Sequence, residues 1–301
     1  MMKAWMVVNE YLRTKKFKEL DQLLEQAAQH LGIEIEVFYN SELPIYYGIS
    51  PKDYFSMFGL TVPDFVLFWD KDVRLATWLT SLGLLVYNSA QSIALCDDKS
   101  ATHQRLSKAG IDMPKTIAAP FTYETVGYSN YNFLTTIKEQ LGFPMVVKES
   151  FGSFGAQVYL AKDEEELLEI VKNIGTKPMI FQKLITSSIG RDLRLQVVGD
   201  KVVAGMYRFS EQGDFRANLS NGGSARAYQA KEKEEELAVK SCKLLGLSFA
   251  GVDLLFGEDG NFLVCEVNSN AHFKTILECT NIDVATEILN YLIKEVKKYR
   301  E

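Results

Sequence analysis

A mixed α/β and α+β architecture is predicted for this chain, with a parallel α/β unit at the N-terminus and antiparallel hairpins after it. Three observations carry that prediction. Strand-like apolar runs alternate with helical periodicities over residues 1–94. Tight-turn signals join neighbouring strand runs further on. The length, 301 residues, exceeds what one compact core usually organises.

In the first unit, residues 4–8 read as a buried strand. Residues 17–31 read as a helix, with Leu20, Leu23, Leu24, Ala27, Ala28 and Leu31 at helical spacing. Gly32 stops that helix and 33–39 alternates as a second strand. Strands follow at 65–69 and 84–87, with a helix over 73–82 between them. The aromatics Tyr46, Tyr47, Tyr54, Phe55, Phe58, Phe65, Phe68 and Trp69 are read as core and loop packing in preference to a ligand box.

Asp98 is suited to cap a helix that Gly110 ends, and Pro114 opens a strand. A helix near 133–141 precedes a strand at 143–148. The loop 150–156, a strand at 157–161, a helix from Asp163 and a strand at 178–184 follow. Strands at 193–198 and 202–209 meet at the turn Gly199-Asp200-Lys201. The charged run 231–236 starts a helix to 245, strands 250–256 and 261–268 form a second hairpin, and 284–296 is a closing amphipathic helix.

Composition narrows the function classes. Hydrophobic residues make up 47% and charged residues 24%, the balance of a folded soluble protein. The formal charge of −6 has no basic block, so nothing reads as a nucleic-acid surface. Cys96, Cys242, Cys265 and Cys279 lack the paired spacing of zinc or disulfide frameworks and are read as reduced thiols. The apolar run in residues 1–8 is too short for a signal or a membrane span, so no membrane partner and a cytoplasmic location are expected.

Three segments carry chemistry. On a strand, Glu266 and Asn268 share a face, and a hairpin loop at 258–261 would pair Gly257 with Phe262 and set Asp253 opposite Glu266. Three hard oxygen donors at a strand end suit Mg²⁺. Edge-strand solvation would be the alternative, but the apolar neighbours Val252, Leu254, Leu255 and Val264 oppose it. Lys148 ends an apolar strand just before Ser150-Phe151-Gly152-Ser153-Phe154-Gly155, a combination able to meet phosphate oxygens with charge and backbone N–H groups. Taken alone, a simple hairpin with an exposed lysine explains it better. Arg216, in a polar loop ahead of Gly222-Gly223, could grip a phosphoryl group in forked geometry, or belong to an ordinary surface loop.

Together, from about Cys96 onward, these segments resemble the ATP-grasp superfamily, and within it the RimK-type glutamate ligases. The matches run in order: Asp98-Lys99, the segment 143–148, the glycine loop, Gly190-Arg191-Asp192-Leu193-Arg194, residues 213–218 with Gly-Gly after them, Ala250-Gly251-Val252-Asp253, and Glu266-Val267-Asn268. The resemblance implies an ATP-grasp fold, with an N-terminal pre-ATP-grasp domain (1–94), a lid subdomain (95–184) and a catalytic subdomain (185–301) clasping ATP. It implies that Lys99 and Lys148 contact phosphates and that residues Ser150, Gly152, Ser153, Phe154 and Gly155 close over them. Gln182, Lys183 and Leu184 would form the adenine hinge, and Asp192 would meet the ribose. Arg216 and Asn218 would stabilise the transferring phosphate, while Asp253, Glu266 and Asn268 would hold Mg²⁺, or Mn²⁺ in its place. Two departures stand out: Lys183 occupies a hinge position that is often acidic, and Ser269-Asn270-Ala271-His272-Phe273-Lys274 replaces the Ala-Ser-Pro-Gly of many relatives.

The chemistry implied is ligation of a carboxylate to an amine through an acyl-phosphate, with ADP and phosphate released. The carboxylate would belong to a small molecule, peptide or carrier, and the amine to an amino acid, glutamate first. A phosphotransferase and a non-catalytic nucleotide-binding regulator are the alternatives, and a homo-oligomer stays open. Arg194, Arg208, Asn270, His272 and Lys274 are expected to shape the acceptor pocket. For the two arginines, a substrate carboxylate and an internal Asp or Glu are equal candidates as anionic partner. For His272, a hydrogen-bonded surface position is the bland reading.

Overall fold

The computed structural model describes residues 1–152, 155–211, 213–217, 219 and 222–301. Strand β1 (Met2–Val8) is flanked by β2 (Ile33–Tyr39) and β3 (Phe65–Phe68), and β4 (Val86–Tyr87) completes a sheet of order β2-β1-β3-β4 in which all pairings are parallel. The helix α1 (Lys15–His30) links β1 to β2 and buries Leu20, Leu24, Ala27 and Ala28. Helix α2 (Pro51–Phe58) is not among the elements read from sequence, although its signals are all present. Ser50 caps it by accepting from the Asp53 N–H at 3.2 Å, Pro51 opens it, and Gly59 closes it in the left-handed conformation. Helix α3 (Val73–Ser81) follows β3. Helix α4 (Ala90–Asp97), also unread, leads through the cap Asp98 into α5 (Lys99–Lys108). Tyr54, Phe65, Phe68 and Trp69 are buried, whereas Tyr46, Tyr47 and Phe58 are exposed, in keeping with core and loop packing.

The second sheet, order β5-β8-β6-β7, is antiparallel: β5 (Thr116–Ala118), β6 (Met145–Glu149), β7 (Val158–Ala161) and β8 (Met179–Lys183). Helices α6 (Phe133–Leu141) and α7 (Glu164–Ile174) pack on Met145, Val147, Met179 and Phe181. Asp163 caps α7 by accepting from the Glu166 N–H at 2.9 Å, and three glutamates in its first turn suit the helix dipole. Alternation along β6 and β8 leaves Val146, Lys148 and Gln182 lining a cleft beside the sheet.

The third sheet, order β11-β10-β9-β12-β13, is also antiparallel: β9 (Arg191–Val198), β10 (Lys201–Phe209), β11 (Ser224–Ala227), β12 (Phe249–Phe256) and β13 (Phe262–Asn268). One face packs Leu193, Leu195, Val197, Val252 and Leu254 against α8 (Glu232–Leu245). Helix α9 (Lys274–Thr280) occupies part of what reads as loop in the sequence. Helix α10 (Val284–Arg300) does more than close its own unit. Its Ile288, Leu289, Leu292 and Val296 share one core with Ala4, Met6, Leu20 and Leu24 of the first sheet and its helix. Among the described residues, no helix is long and apolar enough to cross a membrane.

The β12–β13 hairpin corrects the expected turn while keeping the pairing that matters. Phe256, not Gly257, lies opposite Phe262, and the loop is one residue longer than read. The register then shifts between Asp253 and Leu254, where Cys265 is the extra residue of a β-bulge, and Asp253 does face Glu266. The same bulge leaves Cys265 and Glu266, neighbours in sequence, both lining the cleft.

Candidate active site

The cleft between the second and third sheets spans about 850 Å³, part of it open to solvent. Its apolar lining comes from Val146, Val158, Leu184, Ile185, Ile189 and Leu255, and its cations from Lys99, Lys148, Lys183, Arg191 and Arg216. Such a mixture suits a ligand with a flat apolar part and an anionic tail.

Lys148 is 8% exposed and donates to Gln182 Oε1 at 2.8 Å, with the Cys265 sulfur at 3.6 Å. Gln182 is held in turn through its Nε2, 3.0 Å from Thr116 Oγ1. Among the described residues, Lys148 has no carboxylate in ion-pair range, so a buried ammonium faces the cleft without an internal counter-charge. Lys99 donates to the Gly152 carbonyl at 3.0 Å, and burial lowers its pKa. The neutral partner behind them is His103, whose pKa is lowered to about 4 by burial and by the charges of Lys148 and Lys99. Of the glycine loop, Gly152 and Gly155 line the cleft, while Ser150 is 1% exposed and is not part of the lining. Ser153, Phe154 and Asn218 lie outside the described residues.

Arg216 reaches across to the loop. Its Nη1 donates to the Gly155 carbonyl at 2.9 Å, and Nε and Nη2 pair with Asp214. Gln182, Lys183 and Leu184 all line the cleft, Lys183 with its side chain exposed.

At the floor, four charges interlock, three of them buried and Arg194 half-buried. Arg194 grips Asp253 with Nε at 2.5 Å and Nη2 at 2.6 Å, and Arg208 grips Asp192 with Nε at 2.6 Å and Nη2 at 2.7 Å. Arg208 Nη2 also lies 2.9 Å from Asp253. The anionic partners of both arginines are therefore internal aspartates, which resolves the question left open by sequence. Burial alone would push the Asp253 carboxyl up, but Arg194 and Arg208 outweigh it and hold it below the usual carboxylate value. For Asp192 burial wins and the pKa rises despite Arg208.

Beyond this floor a second chamber of about 1440 Å³ opens. Arg194, Arg208, Asn270, His272 and Lys274 all line it, together with Asn268 and Glu266. Glu266 borders both spaces, and among the described residues its carboxylate has no hydrogen-bond or ion-pair partner. Asn268 Nδ2 is buried without a hydrogen-bond partner. Glu266, Asn268 on the same strand and Asp253 across the hairpin, its two oxygens held by Arg194 and Arg208, carry the oxygen chemistry that suits a hard divalent cation.

The chamber also has walls that sequence reasoning missed. Lys16 and Glu19 of α1 and Lys71 after β3 come from the first unit, far away in sequence. Lys274 pairs with Glu19 at 2.5 Å and Asn270 donates to the Asp70 carbonyl at 2.7 Å, tying the segment after Asn268 to that unit. His272 corrects the surface reading. It packs edge-on to Phe17, and burial, with Lys16 and Arg194 nearby, lowers its pKa to about 4. It can thus offer a neutral ring to a ligand but no charge at pH 7. In the cleft, Arg191, Gln157 and Cys265 were likewise given no role. Arg191 stood inside a quoted motif, and the position of Cys265 depends on a bulge the sequence does not announce.

The family model for the RimK-like ATP-grasp domain matches residues 96–292. The chain belongs to the RimK-like ATP-grasp family. Human N-acetylaspartylglutamate synthase A is 36% identical over 223 residues, 74% of this chain and 56% of that protein. The chain thus spans little more than half the length of this relative. An uncharacterised protein of Mycoplasma genitalium is 32% identical over 275 residues, covering 89% of this chain and 91% of its own length. The structure of D-alanine–D-alanine ligase from Bacillus anthracis in complex with ATP superposes with a TM-score of 0.74 at 18% identity, over 100% of this chain and 99% of that one. That likeness establishes the ATP-grasp fold, and the three sheets described above are this family member's version of it.

Proposed function

We propose that this RimK-like protein joins a substrate carboxylate to an amine at the expense of ATP, through an acyl-phosphate. The observation that carries the reading is the position of Glu266, a carboxylate with no ion-pair partner among the described residues, shared by the cleft and a charged chamber. The γ-phosphate and the carboxylate to be activated can meet only where two such spaces touch.

In this reading the units 1–94, 95–184 and 185–301 are the working parts. The hinge Gln182-Lys183-Leu184 borders adenine, Asp192 the ribose, and Lys99, Lys148 and Arg216 the phosphate oxygens, with Gly152 and Gly155 above. Asp253, Glu266 and Asn268 hold Mg²⁺, with Mn²⁺ as a substitute. Bound there, the ion neutralises charge on the β and γ phosphates. The protein's own work is to fix the carboxylate and phosphate in line and to keep water from the acyl-phosphate. No nucleophilic side chain is needed, in keeping with a Cys265 thiol whose pKa burial raises.

The amine is an α-amino acid, with glutamate first, as the name of the human relative suggests. Its carboxylates suit a chamber lined by Lys16, Lys71, Arg194 and Lys274. The test is ADP release measured across amino acids paired with a panel of carboxylates and carrier peptides, with the products identified. Amide plus phosphate is expected. A stable phosphoester, or nucleotide binding without turnover, would replace this reading.

A further inference from the structure

The four charges at the floor of the cleft are unequally shared. Arg208 has two carboxylates, Asp192 at 2.6 Å and Asp253 at 2.9 Å. Among the described residues, Arg194 has Asp253 alone as an ion-pair partner. Asp253 faces the nucleotide cleft, whereas the two guanidiniums face the chamber. Both Asp253 oxygens already accept N–H bonds from arginine.

Asp253 is also the donor that stands across from Glu266 in the cation set assigned above. A divalent cation drawn to Asp253 competes with the guanidinium for the charge and lone pairs of the same two oxygens, and the two cations repel each other, so the bidentate grip weakens. Arg208 keeps Asp192 when that happens. Among the described residues Arg194 has no second ion-pair partner, and its side chain, 13% exposed, already borders the chamber beside Lys274 and Asn270. A half-buried guanidinium without a counter-ion is costly, so a free carboxylate in the chamber becomes its best partner. The forked geometry now used on Asp253 is the one a carboxylate ligand would take.

We propose that Arg194 changes partner during the binding sequence, passing from Asp253 to a carboxylate of the substrate as Asp253 turns to the nucleotide-bound cation. The inference rests on the ligase reading. It makes Arg194 a specificity-determining residue whose availability depends on the cation, so that nucleotide with metal precedes the carboxylate ligand.

The experiment is calorimetric titration of the full chain with succinate and with L-glutamate as probes, in the presence of a non-hydrolysable ATP analogue and either Mg²⁺ or EDTA. At least one probe is expected to bind tenfold or more tightly with Mg²⁺. Asp253→Asn should bind that probe without Mg²⁺ at least tenfold more tightly than the unaltered chain does under the same condition. Arg194→Gln, a variant that leaves Asp253 paired with Arg208, should bind the Mg²⁺–nucleotide as well as the unaltered chain and lose the gain for the probe. Equal probe affinity with and without Mg²⁺ would overturn the proposal, as would no probe binding in either condition or an Arg194→Gln variant that keeps the gain. Nucleotide binding is titrated separately. Its absence would overturn the ligase reading and this inference with it, whereas bound nucleotide with an indifferent probe overturns the partner change alone.

Discussion

Asn88 is the residue whose loss should be felt furthest from its own element. It is 0% exposed, just after β4, and its amide stitches the first unit to the third. Nδ2 donates to the Phe249 carbonyl at 2.9 Å and to the Ser269 carbonyl at 3.0 Å, while Oδ1 accepts from the Ser248 N–H at 2.8 Å. Asn88→Ala strips four buried or half-buried backbone groups of this partner at once, the Phe249 N–H, 3.4 Å from Oδ1, being the fourth. At about 1–3 kcal/mol for each buried group left unsatisfied, and with some relaxation, the loss should be about 4 kcal/mol. Against a total stability of about 5–15 kcal/mol that is a large fraction. Urea unfolding followed by far-UV circular dichroism measures it, with the midpoint falling at unchanged slope. Asn88→Asp sharpens the test. It keeps the acceptor but sets a carboxylate against two carbonyls, so its deficit relative to the unaltered chain should shrink on acidification. A loss under about 1 kcal/mol in Asn88→Ala would show that other contacts hold residues 248–269 in place, and the reasoning would fall.

Three further outcomes are expected. Glu266→Ala should lower turnover by about 100-fold or more while leaving the thermal midpoint nearly unchanged, because among the described residues Glu266 has no hydrogen bond or ion pair to lose; Mg²⁺-dependent ATP turnover that survives the change would refute its role. His103 and His272 have folded pKa values of about 4 against an unfolded value of about 6.5, so the unfolded chain takes up protons first as pH falls. Stability is therefore complete above pH ~6.5 and is lost towards pH ~4, by up to about 3 kcal/mol for each histidine. Asp21, raised to about 6 by burial and by Glu25, works in the opposite sense and offsets part of this. His103→Gln should make the fall in urea midpoint between pH 7 and pH 4.5 visibly smaller, and an unchanged fall would contradict the buried neutral ring. Gly251→Ala would bring a Cβ within 2.4 Å of Ala271 Cβ; displacement of that segment should raise the amine KM several-fold more than the ATP KM, and an effect on ATP alone would place residue 271 in the nucleotide site.

How much of this was legible in the sequence depended on the range of the interactions involved. Asp253, Glu266 and Asn268 could be brought together by strand alternation and one hairpin, and the inference of their pairing survived a wrong turn because the Cys265 bulge returned the missing residue. Helix α2 carried a serine cap, a proline and a terminal glycine, yet the aromatic density around it drew the reading towards packing instead. The first-unit wall of the chamber was out of reach in principle. Nothing local at Glu19 announces that it will meet Lys274, 255 positions on. The same applies to Arg194 and Arg208, where sequence could state that a buried guanidinium needs an anion but only the register Arg194↔Asp253 and Arg208↔Asp192 says which one. His272 was misjudged because a loop position says little about burial once another unit covers the loop.

The core shared by α10 and the first sheet sets the order in which this polypeptide can mature. Residues 4–28 are made long before residues 284–300, which cover one side of what they build. Until those residues leave the ribosome, Leu20 and Leu24 and the side chains of β1 that face them lack their final neighbours. A nascent first unit therefore carries exposed apolar surface until residues 284–300 have emerged, the condition under which chains aggregate or recruit chaperones. Contacts spanning nearly the whole chain also slow the search for the native arrangement. A fragment ending before residue 284 should accordingly be found in the insoluble fraction, even though every residue of the cleft floor would be present in it.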